Sequence, residues 1–159
     1  MGLFFWDEEG LLLLKWVSEG GTAITNFYCE ALRELRENIR QQRRGKLTRG
    51  VLLQHDNASC HTSPRTLATI QELGFEVVPH PPYSPDLAPS DYWLFGPLKQ
   101  HLRGRRYDTI QEVGQVVHRW LRERLEGWFA DGILRLSDRY QRCVQIRGDF
   151  VELGEEDDD

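Results

Sequence analysis

The sequence predicts an α/β fold, and three observations carry that reading. Two short apolar runs near the N-terminus, residues 3–6 and 11–17, are split by Asp7, Glu8, Glu9 and Gly10, the pattern of a β-hairpin. Two strand-like runs, Val51–Leu53 and residues 75–79, flank a helical stretch, which makes a parallel βαβ crossover. Apolar residues then recur three and four positions apart through the C-terminal third, the spacing of amphipathic helices.

Taken in order, neither hairpin strand alternates cleanly, so both faces are expected to be covered. Residues 18–22, with two glycines, read as a connection. A helix is predicted over 25–43, capped by Thr25 or Asn26, with Phe27, Ala31, Leu32, Leu35 and Ile39 as its apolar stripe. Cys29 reads as a packing residue. Gly45 ends the helix, and 46–50 is a basic link. Val51, Leu52 and Leu53 form a buried strand that stops in Gln54, His55, Asp56 and Asn57. Residues 57–63 read as a polar loop. Ser63 followed by Pro64 marks a helix start, Leu67, Ile70 and Leu73 its apolar face, and Gly74 its end.

Residues 80–89 are dense in proline (Pro81, Pro82, Pro85, Pro89), which excludes a helix or a central strand. They read as a stiff bridge, with Tyr83 and Leu87 as packing anchors. Asp91 then opens a helix that Gly96 and Pro97 are expected to kink. Thr109 with Glu112 forms a capping box for a helix carrying Ile110, Val113, Val117, Trp120, Leu121 and Leu125. His118 sits beside that stripe and reads as structural. A last helix, about 129–146, uses Ile133, Leu136, Tyr140, Cys143 and Val144. The domain is read as 1–153, with an acidic, disordered tail at 154–159.

A chain of 159 residues fits one domain, and 40% hydrophobic content is that of an ordinary globular protein. No apolar run reaches the ~20 residues that span a bilayer, so no membrane partner is expected. The N-terminus lacks the basic and apolar regions of a signal peptide. Cys29, Cys60 and Cys143 are odd in number and far apart, which suggests reduced thiols in an intracellular protein. The net charge of −5 is carried entirely by the five acidic residues of the tail. Basic residues cluster instead. Arg40, Arg43, Arg44, Lys46 and Arg49 form one group, with Arg33 and Arg36 upstream, and Lys99, Arg103, Arg105 and Arg106 another. Such clusters suit DNA phosphates, while Glu34 and Glu37 favour a solvated face for part of the first.

Asp56 closes one strand, and Asp91 follows after thirty-four intervening residues. Carboxylates from different elements can hold divalent ions in phosphoryl-transfer enzymes. By residue type alone, a turn at Asp56 and Asn57 and a helix cap at Ser90 or Asp91 are the favoured reading, because structural carboxylates are common. The wording of the segment adds to this. His55, Asp56 and Asn57, then Tyr83, Ser84, Pro85, Asp86 and Leu87, then Asp91 at that spacing, resemble the mariner-type DNA transposases, a DDD/DDE family, over about residues 3–152.

The resemblance implies an α/β, ribonuclease-H-like mixed sheet with flanking helices. It implies three catalytic aspartates holding Mg²⁺ or Mn²⁺, which activate water to cut a phosphodiester before the freed 3′-hydroxyl attacks target DNA. Asp56 and Asp91 match two of them as catalytic and metal ligands, with Asn57 and His61 behind them and His80 as a weaker candidate that reads better as a loop histidine. The hairpin matches residues 3–17, and Asp7 matches the family's hairpin turn rather than a ligand. The family's first strand, which is central and carries the first aspartate, and its DNA-end-reading module are not matched. The expected product is an N-terminally truncated, catalytically incomplete transposase domain. Without the first strand, the hairpin closes on the Asp56 strand, another chain supplies the strand, or stability is marginal. Ser59 and Cys60 stand where members commonly have arginine and proline.

DNA is the expected partner, a homodimer the candidate assembly and the nucleus the expected compartment, or the cytoplasm for a non-functional product. No small-molecule cofactor is expected. The competing reading is a non-catalytic, domesticated DNA-binding or dimerisation module, like the transposase-derived half of a methyltransferase fusion. A decayed element is the third.

Overall fold

The computed structural model describes residues 2–17 and 24–151. The connection expected at 18–22 and the acidic tail at 154–159 lie outside the described residues. The chain divides into two compact units, Met1–Trp6 with Leu11–Pro82, and Asp7–Gly10 with Tyr83–Asp159.

The chain begins with a hairpin, β1 (Gly2–Asp7) and β2 (Gly10–Trp16), which belongs to the first unit except for residues 7–10. Glu8 and Glu9 make the turn, and the Asp7 carboxylate accepts the Glu9 N–H at 3.0 Å, a local bond that favours the reversal. Helix α1 (Ile24–Gln42) follows. Thr25 and Asn26, expected as caps, lie inside it. Its buried stripe contains Tyr28 and Cys29 beside Ala31, Leu32, Leu35 and Ile39, while Phe27 is only half-buried. The stripe is therefore rotated slightly from the expected one, because Tyr28 is an amphipathic residue that sequence periodicity alone leaves undecided. The basic link is a single helical turn, α2 (Lys46–Arg49), entered through Gly45 at φ 79°.

Strand β3 (Val51–Leu53) pairs in parallel with β4 (Phe75–Val77), Val51 opposite Phe75 and Leu53 opposite Val77. The expected polar loop after β3 contains a short helical turn, α3 (Ser59–Thr62). Helix α4 (Pro64–Leu73) completes the crossover. The Ser63 hydroxyl accepts the Thr66 N–H at 3.2 Å, Pro64 sits where its missing N–H costs nothing, and Gly74 ends the helix at φ 76°. The inward face of α4 differs from the expected one. Thr66, Thr69 and Ile70 are buried and Leu67 is half exposed, because both threonine hydroxyls find backbone carbonyls and so enter the interior satisfied. Leu12, Leu32, Leu35, Leu53, Ile70 and Phe75 belong to one buried cluster. Each such side chain contributes about 1.5–3 kcal/mol by leaving water.

Among the described residues the strands form two separate two-stranded sheets, β1–β2 and β3–β4. The hairpin does not close onto β3, as one of the alternatives required.

In the second unit, residues 85–87 form a 3₁₀ turn inside the proline bridge, where only irregular chain was expected. Leu87 is buried, but Tyr83 is 91% exposed at φ 50° and is no packing anchor. Asp91 lies in a π-turn, Ser90–Leu94, that runs straight into α5 (Phe95–Leu102). Gly96 and Pro97, where a kink was expected, lie within the first turn of α5. The widening falls in the turn just before Pro97, which has no N–H to give to the carbonyl one turn back.

Helix α6 (Ile110–Arg122) is capped by Thr109, whose hydroxyl accepts the Glu112 N–H at 3.2 Å, while Glu112 reaches back to the Asp108 N–H at 2.9 Å. Helix α7 (Trp128–Gln145) follows Gly127. Leu125 lies beyond the end of α6 and is exposed, and Val144 is exposed on the last turn of α7, so both leave the expected stripes. Leu94, Leu98, Val117 and Trp120 are buried in this unit. No helix among the described residues is long and apolar enough to cross a membrane.

Candidate active site

Asp56 leaves the C-terminal end of β3, the edge where parallel sheets present their ligands. Its Oδ1 accepts the Ala58 N–H at 3.0 Å and stands 2.8 Å from His61 Nδ1. The same ring nitrogen lies 3.2 Å from the Asp56 carbonyl oxygen. Partial burial pushes this carboxyl up, but the Ala58 N–H and the His61 ring outweigh it and hold the group below its ordinary value. Oδ2 accepts no hydrogen bond among the described residues, and the side chain is 56% exposed. One carboxylate oxygen is thus tied down and the other is open to solvent.

His61 is carried there by α3, within the stretch expected as a polar loop. Its ring stacks on His55, 4.8 Å between centroids with 1° between planes, and lies 4.2 Å from the Tyr28 ring. Tyr28 Oη and His55 Nδ1 are 2.8 Å apart. Burial raises the phenol pKa, so Tyr28 keeps its proton. Burial first, and His61 next, drive His55 down to about 4, so this imidazole is neutral at pH 7. The Asn57 amide donates to the His80 carbonyl at 2.8 Å, and Gln54 Nε2 stands 3.1 Å from His80 Nδ1. These two bonds tie the ends of β3 and β4 together, and both of His80's named contacts serve the backbone frame.

In the second unit, Asp91 is exposed and its N–H donates to the Ala88 carbonyl at 2.9 Å. Behind it Asp86 is buried, with Oδ2 accepting the Val151 N–H at 2.8 Å and its carbonyl accepting from Arg139 at 3.1 Å. Asp56 in the first unit and Asp91 in the second are each exposed carboxylates, the hard oxygen donors that Mg²⁺ and Mn²⁺ prefer, so each fits such an ion in donor chemistry.

A family profile described as "Transposase (partial DDE domain)" matches residues 1–49. The chain is 33% identical over 150 residues to the mariner Mos1 transposase of Drosophila mauritiana and 32% identical over 153 residues to the human histone-lysine N-methyltransferase SETMAR. It spans 44% and 22% of those two proteins, and 93% and 96% of the chain is covered. Among solved structures it matches the Mos1 transposase catalytic domain with raltegravir and Mn at TM-score 0.87 and 31% identity, covering 96% of this chain and 82% of that one. The Mos1 paired-end complex with Mn matches at TM-score 0.85 and 33% identity, covering 92% and 43%. The chain belongs to the mariner transposase family.

The mariner match makes the fold ribonuclease-H-like, a mixed α/β arrangement with short sheets. Within this mariner domain the predicted basic residues differ in situation. Arg40 is committed to Glu37 at 2.5 Å, which raises the guanidinium pKa further and draws the Glu37 carboxyl down to about 2. Arg36, upstream of the set, donates to the Leu73 carbonyl at 3.3 Å, and Arg43 to that of Gln42. Arg44 and Arg49 are exposed, and Lys46 is half-buried. Lys99, Arg103, Arg105 and Arg106 are all exposed at and beyond the end of α5.

Sequence reasoning missed Tyr28, which sits one turn before Leu32 and could have been found as an aromatic on the core side of α1. It also missed Thr66, whose buried hydroxyl donates to the Cys60 carbonyl and so holds the turn that carries His61.

Proposed function

We propose that this mariner-family chain contributes Asp56 and Asp91 as carboxylate ligands for Mg²⁺ or Mn²⁺ in DNA phosphodiester chemistry, and that the 159-residue chain on its own binds the ion without joining DNA ends. The observation that carries the reading is the division of labour at Asp56. Oδ1 is fixed by Ala58 and His61 while Oδ2 stays open, the state of a carboxylate oriented for a ligand it does not find within the protein. A bound divalent ion supplies positive charge against the phosphoryl oxygens of the transition state. The residues of the chain do the rest. His61 orients the Asp56 carboxylate, Asn57 and Gln54 hold the strand ends, and the exposed basic residues meet DNA phosphates. DNA, a second copy of the chain and a nuclear location complete the proposal. In support, Mos1 has been captured in paired-end complexes, with Mn in one and Mg in another.

Mn²⁺ titration of the purified chain tests the metal reading. Asp56→Asn and Asp91→Asn should each weaken binding, and an affinity indifferent to both would sink it. Metal-dependent cleavage of terminal-repeat DNA that disappears in Asp91→Ala would overturn the claim of incompleteness.

A second reading rests on the four exposed basic residues at the end of α5. A non-catalytic DNA-binding module would show salt-dependent DNA affinity that ignores Mg²⁺ and survives Asp56→Ala.

A further inference from the structure

The two residues that follow Asp91 both anchor on α7. The Tyr92 hydroxyl donates to the Gly132 carbonyl at 2.6 Å, and the Trp93 indole N–H donates to the Trp128 carbonyl at 2.9 Å. Trp128 and Gly132 are four residues apart, so these acceptors lie on one face of α7, one turn from each other. A carbonyl has two lone pairs and takes such a bond without giving up its place in the helix.

In a regular α-helix, consecutive side chains diverge by about 100°, which makes it hard for neighbours to reach one partner face. The π-turn Ser90–Leu94 relieves this. The Phe95 N–H reaches back five residues to the Ser90 carbonyl, and the wider turn brings successive side chains closer in direction. Tyr92 and Trp93 can then both address α7, while Asp91 stays exposed.

The docking is tight. A Cβ built at Gly132 would stand 2.6 Å from Trp93 Nε1, so the indole occupies the space that any other residue would need. Arg139 lies over the Tyr92 ring at 4.4 Å, and Arg135 over the Trp93 ring at 5.0 Å, both from α7. Burial raises the Tyr92 pKa, so its hydroxyl remains a donor.

We infer that Tyr92 and Trp93, docked at Gly132 and Trp128, are positioning residues that set the direction in which the Asp91 carboxylate leaves its turn. The inference rests on the reading of Asp91 as a metal ligand and adds what orients it.

The test is Mn²⁺ affinity of the full chain, read by the spin signal of free Mn²⁺, with thermal melting in parallel. Asp91→Asn sets the scale. Tyr92→Phe removes one hydroxyl and keeps the ring, and it weakens Mn²⁺ binding by about 10-fold or more, within the range for partners that orient a ligand, while the fold is retained. Gly132→Ala weakens binding similarly. In a Trp93→Ala background Gly132→Ala has no further effect, because the group it would strike is gone. If Tyr92→Phe binds Mn²⁺ like the wild type while Asp91→Asn does not, the positioning role is wrong and the ligand reading survives. If Asp91→Asn also binds normally, the ligand reading falls and takes this inference with it. Should Gly132→Ala unfold, the Tyr92→Phe result decides alone.

Discussion

The imidazole rings of His55 and His61 lie parallel, 4.8 Å apart with 1° between their planes. One is neutral and hydrogen-bonded to Tyr28, and the other touches the Asp56 carboxylate at 2.8 Å. The stack therefore links the buried face of α1 to the exposed end of β3, and the orientation of Asp56 depends on packing as well as on its own turn.

Replacing His61 by alanine removes the ring that holds Oδ1 and uncovers Tyr28. Mn²⁺ affinity should fall by about 10–100-fold, the usual loss when a ligand's orienting partner is deleted. His61→Phe would restore the stack and leave the affinity low. Calorimetric titration of the two variants separates packing from orientation, and equal, wild-type affinities would refute the role.

The pH dependence of stability has a defined sign. His55 titrates at about 4 in the fold against an ordinary 6.5, so between those values the unfolded chain binds the extra proton. Stability is full above pH 6.5 and declines as pH falls toward 4. Thermal melts at pH 7, 6 and 5 should show this decline, and His55→Gln should flatten it. A wild-type melting temperature constant over that range would contradict the assignment.

Thr66 is buried, and its hydroxyl donates to the Cys60 carbonyl while accepting from Ser63. Thr66→Val keeps the volume and strands those partners, at a cost of about 1–3 kcal/mol in denaturant unfolding. The loss belongs to the turn that carries His61, so Mn²⁺ affinity should weaken along with stability.

For DNA, alanine at Lys99, Arg103, Arg105 or Arg106 should lower affinity about equally for all sequences. Each substitution should reduce the slope of log affinity against log salt by about 1. Arg40→Ala should change the slope less, since Glu37 already neutralises that guanidinium. Equal slopes for Arg40→Ala and Arg105→Ala would show that the ion pair opens on binding.

Much of this molecule was legible in its residues. Apolar runs and turn chemistry located the hairpin, the βαβ crossover with its Ser63–Pro64 start and Gly74 stop, and the Thr109 cap, because these signals are local and act within one or two turns. The motif residues from His55 to Asp91 pointed to the family. The tertiary structure alone decided the rest. That Thr66 and Thr69 face inward while Leu67 does not depends on which carbonyls lie within reach of their hydroxyls. That His61 meets Asp56, and that its ring lies against Tyr28, depends on a four-residue turn too short to declare itself. That Asp91 sits on a π-turn clasped by α7 depends on Gly132, forty residues downstream of Tyr92. Local propensity is written in neighbouring residues. The direction of a functional side chain is set by contacts between residues far apart in the chain, and only the folded structure brings them together.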